Sequence, residues 1–292
     1  MTADNMERIL SISTAAFDGY DLSVAIDEIS RLGVRSVEVA FIQGYTDPFG
    51  EEIFDPENAR SIQRLLSETG LSCFALSAHM NLVTVKSVEV FAKRMEFACQ
   101  IGAKVIVTNA GPKHEMKTFM ANMAALSRVA ESLNLVIGLE NPGDGKENIV
   151  NSGKDGARVI QEIDSEWVRL NYDFGNVISH CFERVRPEED YKDALRSSAH
   201  LHIKDVERDG QGWRFTEIGK GSIDYRSVLH SLRQESPSLP VSLEIPLRVT
   251  RAADASPRRM PHASPLDQIR EALRNSVDYV QTLLRQTKRK KG

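Results

Sequence analysis

Four positions in this chain put a metal-ligand side chain at the end of an otherwise apolar run: Glu140 in LVIGLEN, Asp173 in RLNYD, His202 in HLHIKD and Glu244 in VSLEIP. A carboxylate in such a place does not stay unpaired, because removing its charge from water costs several kcal/mol or more. Three carboxylates and an imidazole gathered together repel one another, and one divalent cation relieves that repulsion while the ligands stay ionised. Mixed oxygen and nitrogen donors suit manganese, which we expect, with zinc, cobalt, iron or magnesium as alternatives. Ion pairs to Lys104, Lys204 or Arg248 would explain any one of these acids alone, but four in register favour a shared ion.

The elements that must hold these residues are β-branched runs alternating with longer amphipathic stretches, the pattern of parallel strands joined by crossover helices. The runs fall at Ile9 to Thr14, Ser36 to Phe41, Leu71 to Ala78, Lys104 to Ala110, Leu135 to Asn141, Trp167 to Asp173, His200 to Asp205 and Pro240 to Ile245. Eight strand–helix pairs in 292 residues predict a (β/α)8 TIM barrel, read as one domain over 1–292 with a basic tail from about 284. Asp55-Pro56-Glu57 and Ser264-Pro265 mark helix starts, and Gly33, Gly70 and Gly102 mark helix ends. Between Val85 and Ile101, Val88, Phe91, Met95, Ala98 and Ile101 form one apolar stripe, as on an outer helix packed against a barrel wall. Arg251 to His262 reads as a long polar loop after the eighth strand, on the catalytic face, where it could act as a lid or be plain surface.

A hydrophobic content of 41% allows a sizeable core, and a net charge of −4 offers no field to gather nucleic acid or an anionic membrane. The basic run Lys288 to Lys291 is expected to be a solvated tail. Cys73, Cys99 and Cys181 are odd in number and widely spaced, which fits reduced thiols and a cytoplasmic setting. No apolar run reaches the length of a membrane span, and the first eight residues lack the pattern of a signal peptide.

The order of the LEN glutamate, the strand-end aspartate, the H-x-H-x-K-D segment, the G-x-G-x-I-D loop at Gly219 to Asp224 and the final L-E-I strand resembles the xylose-isomerase-like barrels. That superfamily includes sugar isomerases and epimerases, inosose and dehydroshikimate dehydratases, and the endonuclease IV type. The resemblance implies that Glu140, Asp173, His202 and Glu244 are the ligands of one metal and that His79 faces the same pocket. Where the family commonly has D-x-x-H, this chain has Asn176, which can bind a hydroxyl but not act as an imidazole base. Asn109 and Asn176 also stand where a trinuclear zinc nuclease needs histidines, which argues against DNA repair. Dimers or tetramers are common in the family.

The expected chemistry is proton abstraction beside a metal-chelated carbonyl of a small keto-sugar or polyol, with Glu140 and Glu244 removing and returning the proton from opposite faces. Return to the same carbon is epimerisation, return to its neighbour is isomerisation, and loss of a β-hydroxyl is dehydration. A lyase acting on an inosose or dehydroshikimate, or a non-catalytic barrel subunit, are the alternatives. Lys204, Asp205, Arg248 and His180 are further candidates for substrate contact or support. Glu38 either faces the pocket or holds His79. His200 shares the inward period of His202, which is chosen as ligand because it lies nearer the strand end. Phe17, Tyr45 and Phe174 are candidate apolar walls.

Overall fold

In the computed structural model, which describes residues 8–285, short parallel strands close into an eight-stranded barrel. The chain runs β1 (Leu10–Ser13), α1 (Leu22–Ser30), β2 (Ser36–Phe41), α2 (Pro56–Thr69), β3 (Ser72–Asn81), α3 (Ser87–Gln100), β4 (Val105–Asn109), α4 (Met116–Leu133) and β5 (Val136–Glu140). It continues with α5 (Gly153–Ile163), β6 (Val168–Asp173), α6 (Phe174–His180), α7 (Pro187–Ala194), β7 (Ser198–Ile203), β8 (Asp205–Asp209), β9 (Gly212–Thr216) and α8 (Tyr225–Glu235). The last elements are β10 (Val241–Leu243), β11 (Val249–Arg251), β12 (Pro257–Arg259) and α9 (Leu266–Arg285). The barrel order is β1-β10-β7-β6-β5-β4-β3-β2, so all eight expected strands are present and β10 closes the ring against β1. Of the expected tail, residues 284 and 285 belong to α9, while the basic run lies outside the described residues, as does the N-terminal stretch to residue 7.

The local signals act as their chemistry requires. Asp55 stands at the N-cap of α2 with Pro56 in the first turn, and Gly70 ends the helix at φ 70°, a left-handed conformation that costs glycine little. On α3, Phe91, Met95 and Ala98 are fully buried, so the apolar stripe faces the wall as its period demands.

One expectation is overturned. Arg251 to His262 is not an unstructured loop, because it contains the end of β11 and all of β12. These strands join β8 and β9 in a second, antiparallel sheet of order β12-β11-β9-β8. The strands are short and polar, and Pro257 sits on the outermost one, where a missing N–H is harmless. Main-chain pairing rather than apolar alternation makes this sheet, which is why the residue pattern does not reveal it. The sheet grows from the C-terminal ends of β7 and β10 and roofs the barrel mouth.

Candidate metal centre

Strand register assembles the cluster. Asp173 pairs with His202 across β6 and β7, and His202 pairs with Ser242 across β7 and β10, two residues short of Glu244. Glu140 ends β5 opposite Asn171 of β6. His202 Nδ1 then lies 3.0 Å from Glu140 Oε2, 3.5 Å from Glu244 Oε2 and 3.7 Å from Asp173 Oδ2. All four residues are buried, with at most 3% exposure, and ligand atoms from all four lie within 4.8 Å of one another.

Lys204 Nζ enters the same cluster, 2.6 Å from Asp173 Oδ2 and in contact with Glu244 Oε2. The ammonium lies off the directions a hydrogen bond needs, so Asp173 Oδ2, Glu244 Oε2 and His202 Nδ1 are buried without a hydrogen-bond partner. Three orphaned ligand atoms pointing at one spot, beside a glutamate, fit a divalent cation with one nitrogen and several oxygen donors.

The surroundings orient the ligands. His202 Nε2 donates to Glu38 Oε1 and Oε2 at 3.0 and 3.1 Å, and Ser77 Oγ donates to Glu38 Oε1 at 2.8 Å. Glu38 therefore holds His202, not His79, and leaves Nδ1 to face the carboxylates. Asn171 Nδ2 donates to Glu140 Oε2 at 2.7 Å, which turns Asn171 Oδ1 toward His200 Nδ1 at 2.8 Å. His200 is thus tied behind the cluster, whereas His202 presents a free ring nitrogen to it.

Electrostatics rank the charges. Burial by itself opposes ionisation of Glu38, but His202 and His200 hold its carboxyl far below the usual range. Burial also opposes charge on His202, yet Glu38, Glu244 and Glu140 keep the imidazolium well above its ordinary pKa of 6.5. Asp173 is buried too, and Lys204 and His202 hold it at about 2. Glu244 is the last of the cluster carboxyls to ionise: burial, reinforced by Glu140 and Asp173, pushes it up to about 7 despite Lys204 and His202. Burial alone lowers the His200 ring to about 4, so it stays neutral.

The other candidates separate. His79 Nε2 lies 3.6 Å from Glu140 Oε2, and burial keeps its ring below the usual range. Asn176 Nδ2 donates to Glu140 Oε1 and to the Asn141 carbonyl, both at 3.0 Å. Arg248 stands apart from the cluster, donating to the carbonyls of Met260 and Pro261 at 2.9 Å and facing Asp18. His180 lies 3.7 Å from Asp144, and Lys104 lines a cavity of about 480 Å³ at the opposite end of the barrel. Of the aromatics, Tyr45 reaches the mouth, where its ring faces Lys204 and Arg251 at 5.9 and 5.3 Å. Phe17 belongs to the core, and Phe174 packs behind the site on Tyr172, Tyr191 and Tyr225.

Two linkages explain the spacing of the motifs. Asp205 accepts from the backbone N–H groups of Gly219, Gly221, Ile223 and Val206 at 2.9 to 3.3 Å, so the H-x-H-x-K-D segment and the G-x-G-x-I-D loop form one unit. A Cβ at Gly221 would sit 2.2 Å from Asp205 Oδ1. A Cβ at Gly175 would sit 2.8 Å from Lys204 Cγ, so this glycine admits the lysine stem. Arg251 on β11 was not anticipated from the sequence. Its guanidinium, 5% exposed, donates to Ala255 O at 3.0 Å and lies 3.4 Å from Asn176 Oδ1.

The family model described as xylose isomerase-like TIM barrel matches residues 26–276. The chain belongs to this family. Among solved xylose isomerase-like barrels, it is similar to D-psicose 3-epimerase from Clostridium cellulolyticum H10, with 12% identity over 96% of this chain and 99% of that one, at a TM-score of 0.72. It is also similar to a 3-keto-D-glucoside 4-epimerase from E. coli, with 16% identity over 94% and 100% of the two chains and a TM-score of 0.69. A probable 3-DHS dehydratase from Bacillus anthracis matches at 14% identity over 94% and 99%, with a TM-score of 0.67. At these identities the likeness shows the fold alone. A search of curated proteins returns no match. No helix among the described residues is long and apolar enough to cross a membrane.

Proposed function

We propose that this xylose isomerase-like barrel is a divalent-metal-dependent isomerase or epimerase of small keto-sugars, with Glu140, Asp173, His202 and Glu244 holding one ion, manganese first. The observation that carries the reading is the convergence of three buried, unpartnered ligand atoms beside Glu140. When bound, the ion would polarise a substrate carbonyl and acidify the adjacent C–H. Glu140, steadied by Asn171 and Asn176, would move that proton together with Glu244 on the other face. His79, Asn176 and Lys204 bound the space above them and are placed to meet substrate hydroxyls. Arg248 supports the roof instead, since its donors go to main-chain carbonyls.

A lyase shares the first step, and Lys204 then supplies a cation where a departing hydroxyl needs one. The fold likeness to both epimerases and a dehydratase is compatible with either outcome. Cys73, Cys99 and Cys181 are free thiols, which supports a reducing, cytoplasmic setting, and we further propose a single-domain chain that assembles as a dimer or tetramer. With Mn(II) and a panel of ketoses, the protein should wash solvent deuterium into the carbon beside the carbonyl. Glu140→Gln and Glu244→Gln should each slow that exchange by about 10²- to 10⁴-fold. No exchange with any member, or turnover unchanged in both variants, would overturn the reading; an ultraviolet-absorbing enone product would assign the lyase.

A further inference from the structure

Arg251 presents an unusual combination. Its guanidinium is carried by β11 of the roof sheet into the barrel mouth, it is 5% exposed, and its Nε is buried without any partner. No carboxylate among the described residues lies within ion-pair distance of it, unlike Arg259, which pairs with Asp18, and Arg270, which pairs with Glu28. A buried guanidinium left without a counter-ion is expensive, and structures retain one where a ligand supplies the opposite charge.

A second cation stands beside it. Lys204 Nζ and Arg251 Nη2 each lie 3.4 Å from Asn176 Oδ1, and both charges face the Tyr45 ring, whose hydroxyl is likewise buried and unpartnered. A neutral sugar gives such a pocket hydroxyls but no charge. An oxyanion matches it, because a guanidinium fork and an ammonium bind planar or tetrahedral anions through several charge-assisted bonds at once.

We propose that the substrate carries an oxyanion, a carboxylate or a phosphate, and that Arg251 binds this group at the barrel mouth with Lys204 beside it. This rests on the keto-sugar reading above and narrows it from neutral sugars to keto-sugar acids or phosphates. Arg251 is then the specificity residue, and Asn176 is the spacer that keeps its guanidinium and the lysine apart.

The test compares D-fructose, D-fructuronate and D-fructose 6-phosphate by isothermal titration against the full chain, with Mn(II) and again with EDTA. An anionic ligand should bind about tenfold or more tighter than fructose. Preference for fructuronate assigns a carboxylate, and preference for the phosphate assigns a phosphoryl group. Arg251→Gln should bring the preferred anion to within about twofold of fructose, whereas Arg251→Lys should keep part of the preference. Equal affinity for all three ligands in the wild-type protein overturns the proposal, and so does a preference that survives in Arg251→Gln. Failure to bind Mn(II) counts against the metal-centre reading alone, since the EDTA arm still compares the anions.

Discussion

Replacing Glu38 by Gln isolates the group that aims His202 without removing any of the four candidate ligands. In the native protein the buried carboxylate receives His202 Nε2–H at 3.0 and 3.1 Å and Ser77 Oγ–H at 2.8 Å. A glutamine there can still accept both through its carbonyl oxygen, so the ring keeps its position and only the charge is lost. A hydrogen bond to a charged group contributes about 1.5–3 kcal/mol and a neutral one about 0.5–1.5 kcal/mol. The difference of about 1–1.5 kcal/mol corresponds to a loss of roughly tenfold in Mn(II) affinity, the lower end of the range for residues that support metal ligands. Because Glu38 and His202 are both fully buried, salt will not screen the effect. Titration followed by the electron paramagnetic resonance of free Mn(II) measures the change, and the spectrum of bound Mn(II) should stay the same. An affinity within twofold of wild type in a folded variant would refute the role given to Glu38.

Binding of Mn(II) should release protons, because His202 is held above its ordinary pKa of 6.5 and Glu244 is raised to about 7, so both are protonated in the metal-free protein at pH 6. Raised pKa values make protons competitors of the ion, so affinity should climb with pH: about two protons leave near pH 6 and about one near pH 8. Titrations in buffers of different ionisation heat count them, and zero release at pH 6 contradicts the ligand assignment. Asp205→Ala leaves four backbone N–H groups without their acceptor and should lower stability by about 3–6 kcal/mol, read by denaturant unfolding. A loss under about 1 kcal/mol would show that the glycine loop holds itself.

The barrel was legible because its strands are buried runs with strong local signals, and the cluster was legible because each ligand ends one of those runs. Asn171 and Asp173, like His200, His202 and Lys204, share a two-residue inward period, so their common direction follows from pleating alone. The partner of Glu38 was not legible: Glu38 and His202 are 164 positions apart and meet only because the ring closes. The roof escaped notice because β11 and β12 are three residues each and polar, and Arg251 with them. The Asp205 carboxylate explains afterwards why two motifs travel together, but its four acceptor contacts are to main-chain groups, which carry no residue signature.

The roof sheet hangs from the strands that carry His202 and Glu244, with one residue, Lys204, between β7 and β8 and a proline, Pro246, soon after Glu244. Lifting it to admit a sugar must therefore flex the chain within a few residues of two ion-holding side chains. Entry of the organic molecule and escape of the inorganic one share a single doorway, so a bound sugar that keeps the door shut also traps the ion beneath it.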